Sequence, residues 1–122
     1  MKKVFFDTNL MLDSALERGE NGVASTAILS ACEYGEIEGC LSFLSVANMA
    51  YTLKKGRTKQ GMMDILKGYT LYLTILPMDN SQLQQAYAVD APDFEDVLQY
   101  ECAKAAGCEL IVTSNIKHFK FC

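Results

Sequence analysis

Val4-Phe5-Phe6-Asp7-Thr8-Asn9 reads as a short apolar strand that ends on a carboxylate and turns at once into a helix. Two later stretches, Thr70–Leu76 and Leu110–Val112, have the same character. All three are apolar on both faces, as strands of a covered parallel sheet must be. The segments between them carry apolar residues at helical spacing. Strands that alternate with helices imply a parallel sheet with right-handed crossovers. The fold class expected is therefore α/β, a three-layer α/β/α sandwich around a central parallel sheet of four to five strands.

Punctuation along the chain supports this order. Leu10, Leu12, Ala15 and Leu16 mark a first helix, and Gly22 to Tyr34 a second that Gly35 closes. Glu38–Ser42 is a short strand of edge character. Ser45 is expected to cap a helix with the stripe Val46, Met49, Ala50 and Leu53. Thr58 starts the next helix, Pro77 stops the strand that follows it, and Asn80 or Ser81 opens another helix. Asp93, after Pro92, caps a long helix that Gly107 ends.

Composition narrows the class. With 122 residues, half of them hydrophobic, the chain is one domain (1–122) with a single core. No apolar run reaches the roughly 18 residues of a membrane span, and no secretory signal precedes Asp7. Five cysteines are scattered without CxxC spacing, which argues against a zinc site and for free thiols in a reducing cytoplasm. A net charge of −4 excludes a general nucleic-acid coat but not a local basic patch.

Two acidic places carry the chemistry. In an open α/β sheet, ligands bind at the carboxyl ends of the strands, which is where Asp7 lies. Asp93-Phe94-Glu95-Asp96 sets two carboxylates three residues apart at a helix start, on one helix face. Asp7, Asp93 and Asp96 converging without a basic partner point to a hard divalent cation, Mg²⁺ or Mn²⁺. Helix capping competes with that reading. Either Thr8 or Asn9 is expected to cap the first helix, Asp93 the later one, and Glu95 to face solvent.

Asp7-Thr8-Asn9, Asp93-Phe94-Glu95-Asp96-Val97-Leu98-Gln99 and Thr113-Ser114-Asn115-Ile116-Lys117-His118-Phe119 together resemble the PIN domain in order and spacing. The resemblance covers the whole chain and is nearest to the branch of predicted nucleic-acid-binding PIN proteins. It implies a parallel α/β/α sandwich, Mg²⁺- or Mn²⁺-dependent cleavage of single-stranded RNA, and often a toxin paired with an antitoxin protein. On it, Asp7, Asp93 and Asp96 are catalytic and metal-binding, with Thr8, Asn9, Asn48, Thr113 and Asn115 in support. The chain departs from the pattern in places. Asn48 stands where many members have glutamate, Ser114 where arginine is common, Asn115 where an acid is common, and His118 where Asp precedes Phe119.

Lys54, Lys55, Arg57 and Lys59 form the one basic cluster, suited to a phosphate backbone, and Tyr51 one turn earlier could stack on a base. After Phe121-Cys122 the family usually adds an edge strand and a closing helix. Without them an open sheet edge would invite a homodimer. Two functions stay open. One is a divalent-metal-dependent endoribonuclease, with the metal activating a water for attack on a phosphodiester. The other is a catalytically weak or inactive PIN module that binds RNA or a protein partner through the same crevice.

Overall fold

The structure, a computed structural model, describes residues 1–113. Four strands are β1 (Lys2–Phe6), β2 (Ile37–Ser42), β3 (Thr74–Leu76) and β4 (Leu110–Val112). The helices are α1 (Thr8–Ala15), α2 (Gly19–Glu33), α3 (Phe43–Leu53), α4 (Lys59–Thr70), α5 (Asn80–Tyr87) and α6 (Phe94–Ala105). The strands pair in parallel in the order β3-β2-β1-β4. Phe5 lies opposite Cys40 on one side and Ile111 on the other.

Side chains alternate across a strand, so one strand feeds two layers. Val4 and Phe6 of β1 pack with Leu10, Leu29, Met49 and Leu53 from α1, α2 and α3. Phe5 faces the other way, against Cys102 and Ala103 of α6 and Leu76 of β3. Phe5 and Phe6 are both fully buried, each contributing about 1.5–3 kcal/mol of transfer free energy. The three layers follow from this: α1 to α4 belong to one face, α5 and α6 to the other.

The chain steps outward from β1 to β2 to β3, then crosses back through α5 and α6 to place β4 on the far side of β1. Strand order therefore reverses between β1 and β4, and the crevice above their carboxyl ends is the place for a ligand. Asp7 and Thr113 stand there.

Three local expectations are corrected. β2 is an interior strand, not an edge: Gly39 is wedged among Cys32, Leu73 and Phe6, and a Cβ there would come within 2.7 Å of each. The stretch Thr70–Leu73 is not strand, because α4 runs through Thr70, whose hydroxyl donates back to Leu66 O at 3.0 Å, and the chain then turns before β3 begins at Thr74. The third helix is capped by Ser42, not Ser45, since Ser42 Oγ accepts the Ser45 N–H at 3.0 Å. Among the described residues no helix is long and apolar enough to cross a membrane. Cys32, Cys40, Cys102 and Cys108 are free thiols.

Candidate active site

Asp7 follows the last residue of β1 and is itself the N-cap of α1, in place of Thr8 or Asn9. Its Oδ1 accepts the Leu10 N–H at 2.8 Å, and its Oδ2 accepts the Thr113 hydroxyl at the end of β4. A carboxylate only 5% exposed needs such donors to offset its desolvation. They fix the side chain at the mouth of the crevice.

The opposite wall is the start of α6. Asp93 Oδ1 accepts the Glu95 N–H at 2.9 Å and the Asp96 N–H at 3.4 Å, so it caps the helix as expected. The Tyr87 and Phe94 rings stack at 5.6 Å between centroids, which holds this helix start against α5. Glu95 is exposed, as expected, but it does not stand apart from the site. It borders the pocket and accepts a hydrogen bond from Asn48 Nδ2 of α3.

Beneath the acids runs a buried polar relay that sequence reasoning missed. Ser42 donates to Gln99 Oε1 at 2.6 Å, Gln99 Nε2 donates to Ser45 Oγ at 2.8 Å, and Ser45 and Thr8 share a hydroxyl–hydroxyl bond of 2.8 Å. Ser42, Ser45 and Gln99 are at most 2% exposed. The relay joins the ends of β1 and β2 to α6 through the sheet layer. The only signal for it was a polar residue, Gln99, on the face where α6 should be apolar.

These elements enclose a pocket of about 280 Å³. Asp7, Asp93, Glu95 and Asp96 line it together with the amides of Asn9 and Asn48, the hydroxyls of Thr8 and Thr52, Gln99 and the Tyr51 ring. Among the described residues no lysine, arginine or histidine joins this lining. The donor set is thus oxygen-rich and anionic, which suits a hard divalent cation. Among the described residues no three carboxylates, thiols or imidazoles are gathered into a finished metal cage.

The basic cluster is split. Lys54 and Lys55 set their ammonium groups 4.8 and 5.2 Å from the centre of the Tyr51 ring, at the rim of the pocket. Arg57 turns inward to the Leu53 and Lys55 carbonyls, both at 3.4 Å, and fastens the turn. Lys59 is the exposed first residue of α4. Ser114, Asn115 and His118 lie outside the described residues.

Comparison with known proteins agrees with this geometry. A family model described as PIN domain matches residues 3–117. The chain is 31% identical to Ribonuclease VapC1 of Aquifex aeolicus over 97% of its own length and 84% of that protein. Its fold is similar to a crystal structure of DNA-bound VapBC from Salmonella typhimurium, with a TM-score of 0.71 at 19% identity, covering 98% of this chain and 92% of that one. It is also similar to VapBC2 from Rickettsia felis bound to a promoter DNA fragment, with a TM-score of 0.66 at 17% identity, covering 97% and 91%. The chain belongs to the PIN domain family.

Proposed function

We propose that this protein is a divalent-metal-dependent endoribonuclease that cuts single-stranded RNA in the cytoplasm, and that it is the toxin of a toxin–antitoxin pair. The observation that carries the reading is the convergence of Asp7, Asp93, Glu95 and Asp96 with the amides of Asn9 and Asn48 on one crevice. The similarity to Ribonuclease VapC1 supports the activity, and the two VapBC complexes of like fold support an antitoxin as partner.

Asp7 and Asp96 would hold Mg²⁺ or Mn²⁺, with Asp93 and Glu95 bordering it. A bound ion of this kind supplies an activated water and offsets charge on the phosphodiester. Thr113 holds the Asp7 carboxylate in place through its hydroxyl. The Gln99 relay keeps α3 and α6 at a fixed separation, so the acids need little rearrangement when substrate arrives. Asn9 and Asn48 offer neutral donors and acceptors to water or to the RNA. Asn115 is proposed to support the same site.

Incubation with labelled single-stranded RNA, with and without Mn²⁺, tests this. Cleavage that needs Mn²⁺ and is lost in Asp7→Asn is the expected result. Asn48 favours the second reading, a PIN module that binds RNA or a protein partner without cutting, because its amide ties up Glu95 where many members have a further acid. RNA that stays intact while binding the protein would decide for that reading. A homodimer is proposed as the oligomeric state, tested by sedimentation.

A further inference from the structure

We propose that Tyr51, Lys54 and Lys55 form a shelf for the nucleotide beside the cleaved phosphate. Its base stacks on the Tyr51 ring and its phosphate meets the two ammonium groups. This rests on the ribonuclease reading of the acidic pocket and deepens it by assigning the path of the strand.

Tyr51 is 62% exposed and yet borders the acidic pocket, of whose described lining it is the one aromatic residue. Asn48, one turn earlier on the same face of α3, contacts Glu95. Lys54 and Lys55, at the end of the helix, gather at the Tyr51 ring. Along α3 the order is therefore acids, amide, aromatic ring, cations. A polyanion approaching an acidic crevice is repelled, and in a chain of net charge −4 the strand can reach the acids only beside local cations. The lysines supply them at the right edge of the pocket. Arg57 does not share in this, because its guanidinium is held by carbonyls of the turn.

The ammonium groups take the place that a base would take. When a base stacks on the ring, a lysine on its flexible four-carbon stem is released to the phosphate of the same nucleotide. Stacking of this kind requires an unpaired base, so the shelf selects single strands over duplex.

The chain contains no tryptophan, so Tyr51→Trp sets a single indole on the shelf. Titration with a single-stranded RNA oligonucleotide in Ca²⁺ should quench its emission, whereas the same sequence as duplex should not. Tyr51→Ala should weaken single-strand binding roughly tenfold or more, since a stacked base contributes on the order of 1–3 kcal/mol and 1.4 kcal/mol is tenfold. Tyr51→Phe should bind as the parent does. The pair Lys54→Gln and Lys55→Gln should flatten the salt dependence, by about 0.7 in slope for each phosphate that is no longer neutralised. If cleavage is followed, Tyr51→Ala raises KM and leaves kcat and the melting temperature unchanged. Parent-like binding by Tyr51→Ala, or unquenched indole emission, overturns the shelf and leaves the ribonuclease reading standing. Failure of the unmodified protein to bind single-stranded RNA overturns both.

Discussion

Gln99 Oε1 accepts the Ser42 hydroxyl at 2.6 Å, and this one bond ties a helix on one face of the sheet to the strand end that launches a helix on the other. The two walls of the acidic pocket come from α3 and α6, so their spacing depends on this tie and on its continuation to Ser45. Replacing Gln99 with leucine keeps the volume, leaves the buried Ser42 hydroxyl without its acceptor and takes one donor from Ser45 Oγ, which keeps Thr8. The expected loss is about 2–4 kcal/mol of unfolding free energy, since each orphaned buried polar group costs roughly 1–3 kcal/mol. Ser42→Ala removes both this bond and the α3 cap, so it should cost about 0.5–2 kcal/mol by itself, and the double variant should lose less than the sum of the two singles. Urea unfolding of the two single variants and the double variant measures this, and a Gln99→Leu cost under about 0.5 kcal/mol would show that the relay is not structural.

What the sequence disclosed follows physical range. β1 and the cap at Asp93 were legible because their signals are local: an apolar run that ends on a carboxylate, and Pro92 ahead of an acid. β2 looked like an edge because Gly39, Cys40 and Ser42 carry little apolar bulk. It is central because Phe6, Cys32 and Leu73, from three other segments, fill the space a side chain would need. The Ser42–Gln99–Ser45–Thr8 relay was illegible for a similar reason, as its bonded partners are 37 to 57 residues apart and no local pattern links a serine to a glutamine. The exposure of Glu95 is legible from helical spacing, but its contact with Asn48 is not, because spacing fixes a direction around α6 and not what stands opposite.

Asn48 gives a second prediction. With Asp at position 48, two carboxylates would sit where Asn48 Nδ2 now donates to Glu95. Without a cation they repel, so Asn48→Asp should melt a few degrees lower than the parent in a chelator. With Mn²⁺ the added acid becomes a ligand, and affinity should rise roughly tenfold, seen as a larger metal-induced rise in melting temperature. Equal metal-induced shifts in both proteins would place Asn48 outside the ion's reach.

Alkaline pH should weaken the fold through groups that burial keeps protonated. Burial raises the Cys40 thiol from 9.0 to about 12 and the Cys102 thiol from 9.0 to about 11, with Cys108 adding to both shifts. Burial also raises Tyr72 from 10.0 to about 12. These groups stay protonated in the fold while the unfolded chain gives up their protons. Their contribution is full below about pH 9, falls as pH rises, and is gone near 12. Urea midpoints measured under reductant from about pH 8 to 11 should decline, and Cys40→Ala should make the decline shallower. A flat profile would contradict the burial of these thiols.

The last prediction concerns the acid that separates capping from catalysis. Asp93 caps α6 through its own Oδ1, and Asp96 enters that arrangement through its backbone N–H, not its carboxylate. Changing Asp96 to asparagine therefore leaves the cap in place and removes one negative charge near the helix start. The helix dipole contribution of that charge is small, about 0.3–1 kcal/mol. If the carboxylate helps to hold the metal, Asp96→Asn should lower Mn²⁺ affinity and RNA cleavage together, by orders of magnitude in rate, while the melting temperature without metal stays within a few degrees. Asp93→Asn should be equally mild toward the fold, since an asparagine side chain can still accept the Glu95 and Asp96 N–H groups. Calorimetric Mn²⁺ titration and single-turnover cleavage of the two variants separate the roles. Undiminished cleavage by Asp96→Asn would remove it from the reaction. A joint loss of metal binding and cleavage, with the fold intact, would establish it as the acid on which the chemistry turns.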